Sequence, residues 1–435
     1  MTQSNADNLE KKIKKHIYGK PQAAKITFPA GFGETALNEV TTILKTPWFA
    51  QKCTGECTLL KNEIHIDNIH MSSLMELLIR GQCITDIRLI IFSGKASGKA
   101  AFEKKCRDIP WNFFLNNDMS LKIKVNSVAS RAFHETGLKE ILTSILKNHT
   151  QQIVSGENTR ETTCIYADLY KDRLTVSISL AGDALYKRGY RVILSASAPL
   201  REDAASACIK KSLDFAKSIN EKFSATHILI PFSGTGTFAF EYLQQYFNFS
   251  PALFAREYAL QKMLLFRLDT FRFLLKKAKE HCKFTNEKMI IYCIDNSESA
   301  QDVLTKNLTL FQNAFKENNH SLSDELFIQK TDNFLETEVS NLISTPENIF
   351  MPLNPPYGIR LGRNLDSIAL YKKIASKIND IFQFIKKHNQ HITGFILCPN
   401  EETWSAFNKQ LTHAKTQTYH FTQGGIDIRV CQFFL

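Results

Sequence analysis

Two rhythms of apolar and polar positions divide the chain. In the first half the elements are short and mixed. KITFPA (25–30) predicts a strand, Gly31 and Gly33 a turn, and Glu34 to Leu44 a helix with Leu37, Val40 and Leu44 on one face. ITDIRLIIFSG predicts another strand, and helix-length stretches around Ala101 to Lys105 and Gly137 to Ile153 flank the alternating LKIKVNSV of 121–128. TCIYADLYKDRLTVSISL alternates on both sides of Lys171-Asp172, as an antiparallel hairpin does.

Beyond residues 186–198 the rhythm changes, and the domain boundary is expected there. Short apolar runs without clean alternation recur at 225–232, 289–295, 326–330, 348–353 and 392–399, with helical patterns between them. Runs of this kind suit strands covered on both faces, hence a parallel sheet wound strand–helix–strand. YHFTQGGIDIRVCQFF closes the chain with two alternating segments around Gly424-Gly425, which predicts an antiparallel hairpin at one sheet edge. The fold class is therefore α/β, with a Rossmann-like C-terminal domain over 199–435, a linker at 186–198 and an α+β region over 23–185. Residues 1–22 carry Lys11, Lys12, Lys14, Lys15 and Lys20 among polar residues and are expected to be a flexible basic tail.

Composition adds a partner class. With 54 Lys and Arg against 43 Asp and Glu the net charge is +11, spread along the chain, which favours a polyanion and nucleic acid before membrane. The N-terminus lacks the apolar core of a secretory signal and no run of 18 apolar residues occurs, so a cytoplasmic location is expected. The 10 cysteines stand singly apart from Cys53 and Cys57, a pattern of reduced thiols. No second ligand pair stands at metal spacing, and no metal is expected.

The candidate chemistry sits at strand ends in the second half. The first apolar run ends in Pro231-Phe232-Ser233-Gly234-Thr235-Gly236-Thr237, a glycine turn that lets a ligand approach backbone and helix amides. The second ends at Asp295-Asn296, a carboxylate able to accept from ribose hydroxyls, and the third at Thr331-Asp332-Asn333, an acceptor for an adenine amine. Taken singly, these are a tight turn and two helix caps. The fourth run ends in Asn354-Pro355-Pro356-Tyr357-Gly358. Its prolines stiffen the backbone and leave only acceptors. The Asn354 side-chain oxygen and the Pro355 carbonyl can hold a planar amine, and Tyr357 can stack on a base.

With these motifs the chain resembles class I S-adenosylmethionine-dependent amino-methyltransferases, and more narrowly the THUMP-domain guanine-N2 methyltransferases of large-subunit (23S) rRNA. The likeness runs from Phe28 to Leu435. FPAGFGETALNEVTTIL, TDIRLIIFSG, FEKKCRDIPWNFFL and the stretch around SRAFHETGLKEIL resemble the ferredoxin-like and THUMP half, and ALYKRGYR with APLREDAASACI resembles the linker and first methyltransferase helix. The resemblance implies S-adenosylmethionine as cofactor, bound by Arg201, Glu202, Pro231, Ser233, Gly234, Gly236, Thr237, Asp295, Asn296, Asp332 and Asn333, and a target guanine received by Asn354, Pro355, Pro356 and Tyr357. It also implies RNA, ribosomal first, as substrate, with a monomer favoured.

One position departs from that family. Ile230 stands where an acidic residue usually precedes the proline, so weaker cofactor binding is expected unless Glu241 or Glu202 substitutes. The insertion at about 248–287 mixes aromatics and bases (Phe249, Phe254, Arg256, Phe266, Arg267, Arg272, Lys276, Lys277) and suits either single-stranded RNA or an amphipathic packing helix. The alternatives to guanine-N2 transfer are a non-catalytic RNA-binding or ribosome assembly factor with a decayed cofactor site, and an amine methyltransferase acting on tRNA guanine or on adenine N6.

Overall fold

The computed structural model describes residues 3–49, 55–130, 134–150, 152–154, 162–192, 200–254, 256–283, 289–343, 346–356 and 364–435. Tyr357, Cys53 and the linker residues 193–198 lie outside the described residues. Two compact units emerge. The first comprises Met1–Phe28, Ala36–Lys187 and Ser250–Glu280, and the second Pro29–Thr35, Arg188–Phe249 and His281–Leu435.

The first unit is built on eight strands: β1 (Gln22–Thr27), β2 (Glu56–Leu59), β3 (Glu63–Ile69), β4 (Asp86–Lys95), β5 (Ser120–Val128), β6 (Gln152–Ile153), β7 (Thr163–Tyr170) and β8 (Arg173–Ser179). They form one sheet in the order β2-β3-β1-β4-β8-β7-β5-β6. The Lys171-Asp172 hairpin forms as expected, both turn residues adopting positive φ. Alternation fixes what each side of the sheet carries. Ile26, Leu89, Ile123, Leu169 and Leu174 are fully or almost fully buried, whereas Lys124, Asp168 and Arg173 point the other way and keep contact with solvent.

Three expectations change in this unit. Within the expected flexible tail, residues 3–22 are ordered. Gln3–Ile13 is an α-helix continued by a π-turn at Lys14–Tyr18, Ile13 and Ile17 are buried, and the Tyr18 hydroxyl donates to the Leu265 carbonyl at 2.7 Å. The lysine-rich average concealed this i, i+4 apolar pair. The helix predicted from Gly137 to Ile153 spans Glu135–Leu146 instead, because the following residues turn back and Thr150 caps onto the Met119 carbonyl. Ser250–Glu280, placed by sequence within the C-terminal domain, belongs to this unit. Its backbone pairs with Leu180 and Ala181, and the Arg256 guanidinium donates to the carbonyls of Asp183, Ala184 and Lys187. Phe254 and Phe271 are buried there, so packing accounts for much of the insertion's aromatic content.

The second unit contains β9 (His227–Pro231), β10 (Ile290–Asp295), β11 (Phe327–Thr331), β12 (Ile349–Leu353), β13 (Ile392–Cys398), β14 (Lys415–Gln423) and β15 (Ile426–Phe434) in the order β11-β10-β9-β12-β13-β15-β14. β9 to β13 are parallel, and each lies within two residues of its expected range. β15 runs antiparallel to β13 and β14 across the Gly424-Gly425 turn. Five parallel strands, the central β9, β12 and β13 fully buried and the outermost β11 only partly, put their carboxyl ends on one edge, and the order reverses at β9, between β10 and β12. An open sheet forms its ligand crevice at such a switch point.

The segment Pro29–Thr35 belongs here through the Ala30 carbonyl, which accepts the Thr422 amide at 3.2 Å, and through Phe32, which packs on Tyr419 and Phe421. After the Asp332-Asn333 cap the helix is short, Val339–Leu342 only, because Asn333 gathers the amides of Leu335, Glu336 and Thr337 into a turn. Among the described residues no helix is long and apolar enough to cross a membrane.

Candidate active site

The crevice is assembled from four loops that leave the carboxyl ends of β9, β10, β11 and β12. After β9 the backbone alternates into the left-handed region at Phe232 (φ 57°), Gly234 (φ 52°) and Gly236 (φ 87°), then enters the helix Thr237–Tyr246. Such alternation turns successive amides towards one side, a shape suited to a ligand's polar end. A Cβ on Gly236 would stand 2.7 Å from the Phe240 ring, so this residue is small for packing, whereas a Cβ on Gly234 would meet nothing within 4 Å. Gly234 is thus small beside open space.

Asp295 braces this loop. One of its carboxylate oxygens accepts the Gly234 amide at 2.8 Å and the other the Ser297 amide at 3.0 Å. Each oxygen keeps a further lone pair for a hydroxyl. Asn296 is exposed beside it. At the end of β11 the Asp332 amide donates to the Asp295 carbonyl at 3.1 Å, and the Asp332 side chain is exposed while capping the Asn333 amide at 2.7 Å. Asn333 itself serves the turn already described. After β12, Asn354 is half-buried, Pro355 buried and Pro356 exposed.

Three partners of the loop carry no sequence signature. Gln301 donates to the Ser233 hydroxyl at 3.4 Å and to the Lys330 carbonyl at 3.3 Å. Asn307, fully buried, donates to the Thr235 carbonyl at 3.0 Å and accepts the Val192 amide at 2.7 Å. Arg191 donates to the Thr237 hydroxyl and pairs with Glu202 at 3.2 Å. Only the periodicity of the helix Glu298–Glu317 hinted that Gln301 and Asn307 face the sheet.

The same contacts explain how Ile230 is accommodated. It is buried opposite Cys293, in register between β9 and β10, and Asp295, Gln301 and Asn307 orient the glycine loop without an acid there. Glu241 does not substitute. Its carboxylate is fully buried on Arg188 (3.3 Å), the Tyr190 hydroxyl (2.9 Å) and the Gln244 amide (2.8 Å). Glu202 reaches the loop only through Arg191, and burial pushes its carboxyl up to about 7 against the opposing pull of that arginine. Arg201 turns onto Asp203 at the start of the helix Glu202–Ile219.

Polar atoms left over after this bracing mark where a ligand would be held. Among the described residues Thr235 Oγ1, Gln301 Oε1 and Asn354 Oδ1 are buried without a hydrogen-bond partner. Unpartnered buried atoms also occur elsewhere among the described residues, but these three sit around the carboxyl ends of β9, β10 and β12, where a ligand's polar groups could satisfy them.

Residues 188–385 match the profile described as RMKL-like, methyltransferase domain. Over that stretch the chain is similar to RMKL-like methyltransferase domains. The domain extends over the glycine loop, Asp295, Asp332 and Asn354. The chain is 24% identical over 301 residues to a Legionella pneumophila protein named ribosomal RNA large subunit methyltransferase K/L, an overlap covering 68% of this chain. It spans only 40% of that relative's length. The crystal structure of SMU.472 complexed with SAH superposes with a TM-score of 0.72 at 17% identity, covering 95% of this chain and 98% of that one. TrmN from Thermus thermophilus superposes at 0.57 with 13% identity, over 95% and 99% of the two chains. Both likenesses concern the fold of the methyltransferase domain and of the unit that precedes it.

Proposed function

We propose that this chain is an RNA methyltransferase that transfers a methyl group from S-adenosylmethionine to the exocyclic N2 amine of a guanine in ribosomal RNA. The observation that carries the reading is the unpartnered Asn354 Oδ1, buried at the end of β12 and followed by two prolines, across the switch point from a braced glycine loop. The names of the relatives point to the same substrate class.

The residues fit S-adenosylmethionine. The open side of Gly234 and the orphaned Thr235 hydroxyl suit its amino-acid end, Asp295 its ribose and Asp332 its adenine amine. When bound, the cofactor supplies an electrophilic methyl group. Asn354 Oδ1 and the Pro355 carbonyl accept the two protons of the target amine and so hold its lone pair in line. That lone pair is delocalised into the guanine ring, and fixing the amine by two acceptors favours the geometry in which it is localised enough to attack. Catalysis here is positioning more than base chemistry. The proton leaves after transfer, when the nitrogen has become acidic. Tyr357, outside the described residues, is assigned to stacking on the base by its place in the motif.

Asn354→Ala tests the reading. Methyl transfer should fall by at least about a hundredfold while affinity for S-adenosylhomocysteine, measured calorimetrically, stays within about twofold. Unchanged turnover in the variant would defeat the assignment.

A further inference from the structure

In the first unit, strand register lines up an exposed row across four neighbouring strands. Val128 pairs with Tyr170, Tyr170 with Arg173, and Arg173 with Lys95, on β5, β7, β8 and β4 in turn. Directly paired residues share a face, so these side chains stand side by side at the end of the sheet. Tyr170 is 56% exposed and Val128 57%, and Arg173 and Lys95 are exposed too. The alternate residues Leu169 and Leu174 are buried on the opposite face, so the row is not slack packing of the core.

The charge on this face is unbalanced. Lys124 and Lys122 lie on it two and three pairs inward along β5, and Lys171 sits at the hairpin tip with its Nζ 5.3 Å from the Tyr170 ring. Among the described residues none of Lys95, Lys122, Lys124, Lys171 and Arg173 has an ion-pair partner. Of the acids here, Asp86 on β4 pairs with Arg88 at 3.0 Å, Asp168 on β7 is held by Lys25 at 3.4 Å and by the Asn126 amide at 2.8 Å, and Asp172 is the one acid in the hairpin turn beside Lys171. An isolated exposed tyrosine needs no explanation. A tyrosine flanked on three strands by unpaired cations is the combination that takes a polyanion with planar bases, phosphates on the cations and a base on the ring.

We propose that this row is a stacking platform for single-stranded RNA, with Tyr170 receiving a base and Lys95, Lys171 and Arg173 the flanking phosphates. The proposal rests on the reading of the chain as an RNA methyltransferase and adds where the first unit grips the substrate. Stacking on an aromatic is sequence-tolerant, so the platform holds a strand without choosing the target base.

The test is fluorescence anisotropy of the full chain with a fluorescein-labelled oligouridylate and with an RNA duplex of equal length. Cofactor affinity is measured in parallel with S-adenosylhomocysteine. Tyr170→Ala should weaken oligouridylate binding roughly tenfold and Tyr170→Phe should restore it, because the ring and not the hydroxyl does the stacking. Lys95→Ala combined with Arg173→Ala should lower the slope of log affinity against log salt by about one to two. All these variants should bind S-adenosylhomocysteine as the wild type does. Oligouridylate binding unchanged in Tyr170→Ala would overturn the platform and leave the methyltransferase reading standing. An equal loss on the duplex would reduce the row to a phosphate contact and overturn stacking. A wild-type chain that binds S-adenosylhomocysteine but neither RNA would overturn both the platform and RNA as the substrate.

Discussion

Glu241 is the residue at which a structural and a cofactor-binding role separate most sharply. Its carboxylate is fully buried and accepts from Arg188, Tyr190 and Gln244 at 3.3, 2.9 and 2.8 Å. Replacing it with alanine takes from the Arg188 guanidinium, itself 1% exposed, the carboxylate that pairs with it at 3.3 Å, leaving Asp203 as a more distant acid. Removing one member of a buried pair costs about 3–5 kcal/mol, far more than the pair adds over an apolar substitute. For a domain of this size that corresponds to a fall in melting temperature of roughly 10 °C. Thermal unfolding followed by intrinsic fluorescence measures it. Calorimetric binding of S-adenosylhomocysteine, well below the transition, should remain within about twofold of wild type, since Glu241 does not touch the glycine loop. Arg188→Met combined with Glu241→Leu should recover much of the lost stability, because no uncompensated charge remains. A Glu241→Ala protein that melts within about 2 °C of wild type would refute the reasoning on stability. One that melts normally and loses the cofactor would return Glu241 to the binding site.

Other outcomes follow from the same geometry. Gly234→Ala puts a methyl group into open space at φ 52°, so stability should drop by about 1 kcal/mol and cofactor affinity by more than tenfold; equal affinity would show that the space is not the cofactor's. Glu202, raised by burial to about 7, is protonated in the folded state between pH 4.5 and 7 where the unfolded chain is ionised. Its contribution is therefore complete below pH 4.5 and lost as pH rises to about 7, about 3 kcal/mol in all, and Glu202→Gln should flatten the melting temperature across that window. An unaltered slope in the variant would assign the dependence elsewhere. Asn307→Ala, which frees the Thr235 carbonyl and the Val192 amide, should cost about 2 kcal/mol of stability in thermal unfolding, and a change below about 0.5 kcal/mol would show that the brace is not made in solution.

Much of the second unit could be read from the chain because its signals are local. Each parallel strand is a short apolar run followed directly by the polar residues it presents, so finding 289–295 also found Asp295. The hairpins at Lys171-Asp172 and Gly424-Gly425 announce themselves by alternation on both sides of a turn. Tertiary relations had no such signature. Ile13 and Ile17 gain a helix only through what they pack on, and Ser250–Glu280 looks like part of the domain it interrupts until its backbone bonds to Leu180 and Ala181 are seen. Asn307 reaches Thr235 across 72 positions and Arg191 reaches Thr237 across 46. The departure at Ile230 suggested a weakened site for that reason: the residues that brace the loop lie far from it in sequence.

The account stands on a methyl group moving to the N2 amine of a guanine in RNA. Its most direct test is to incubate the purified chain with S-adenosylmethionine bearing a labelled methyl group and ribosomal RNA from a strain lacking the protein, and then to digest the RNA and separate its nucleosides by mass spectrometry. Label in N2-methylguanosine, abolished by Asn354→Ala, is the predicted result. Label on adenine N6, or none under conditions where the chain binds both cofactor and RNA, would contradict it.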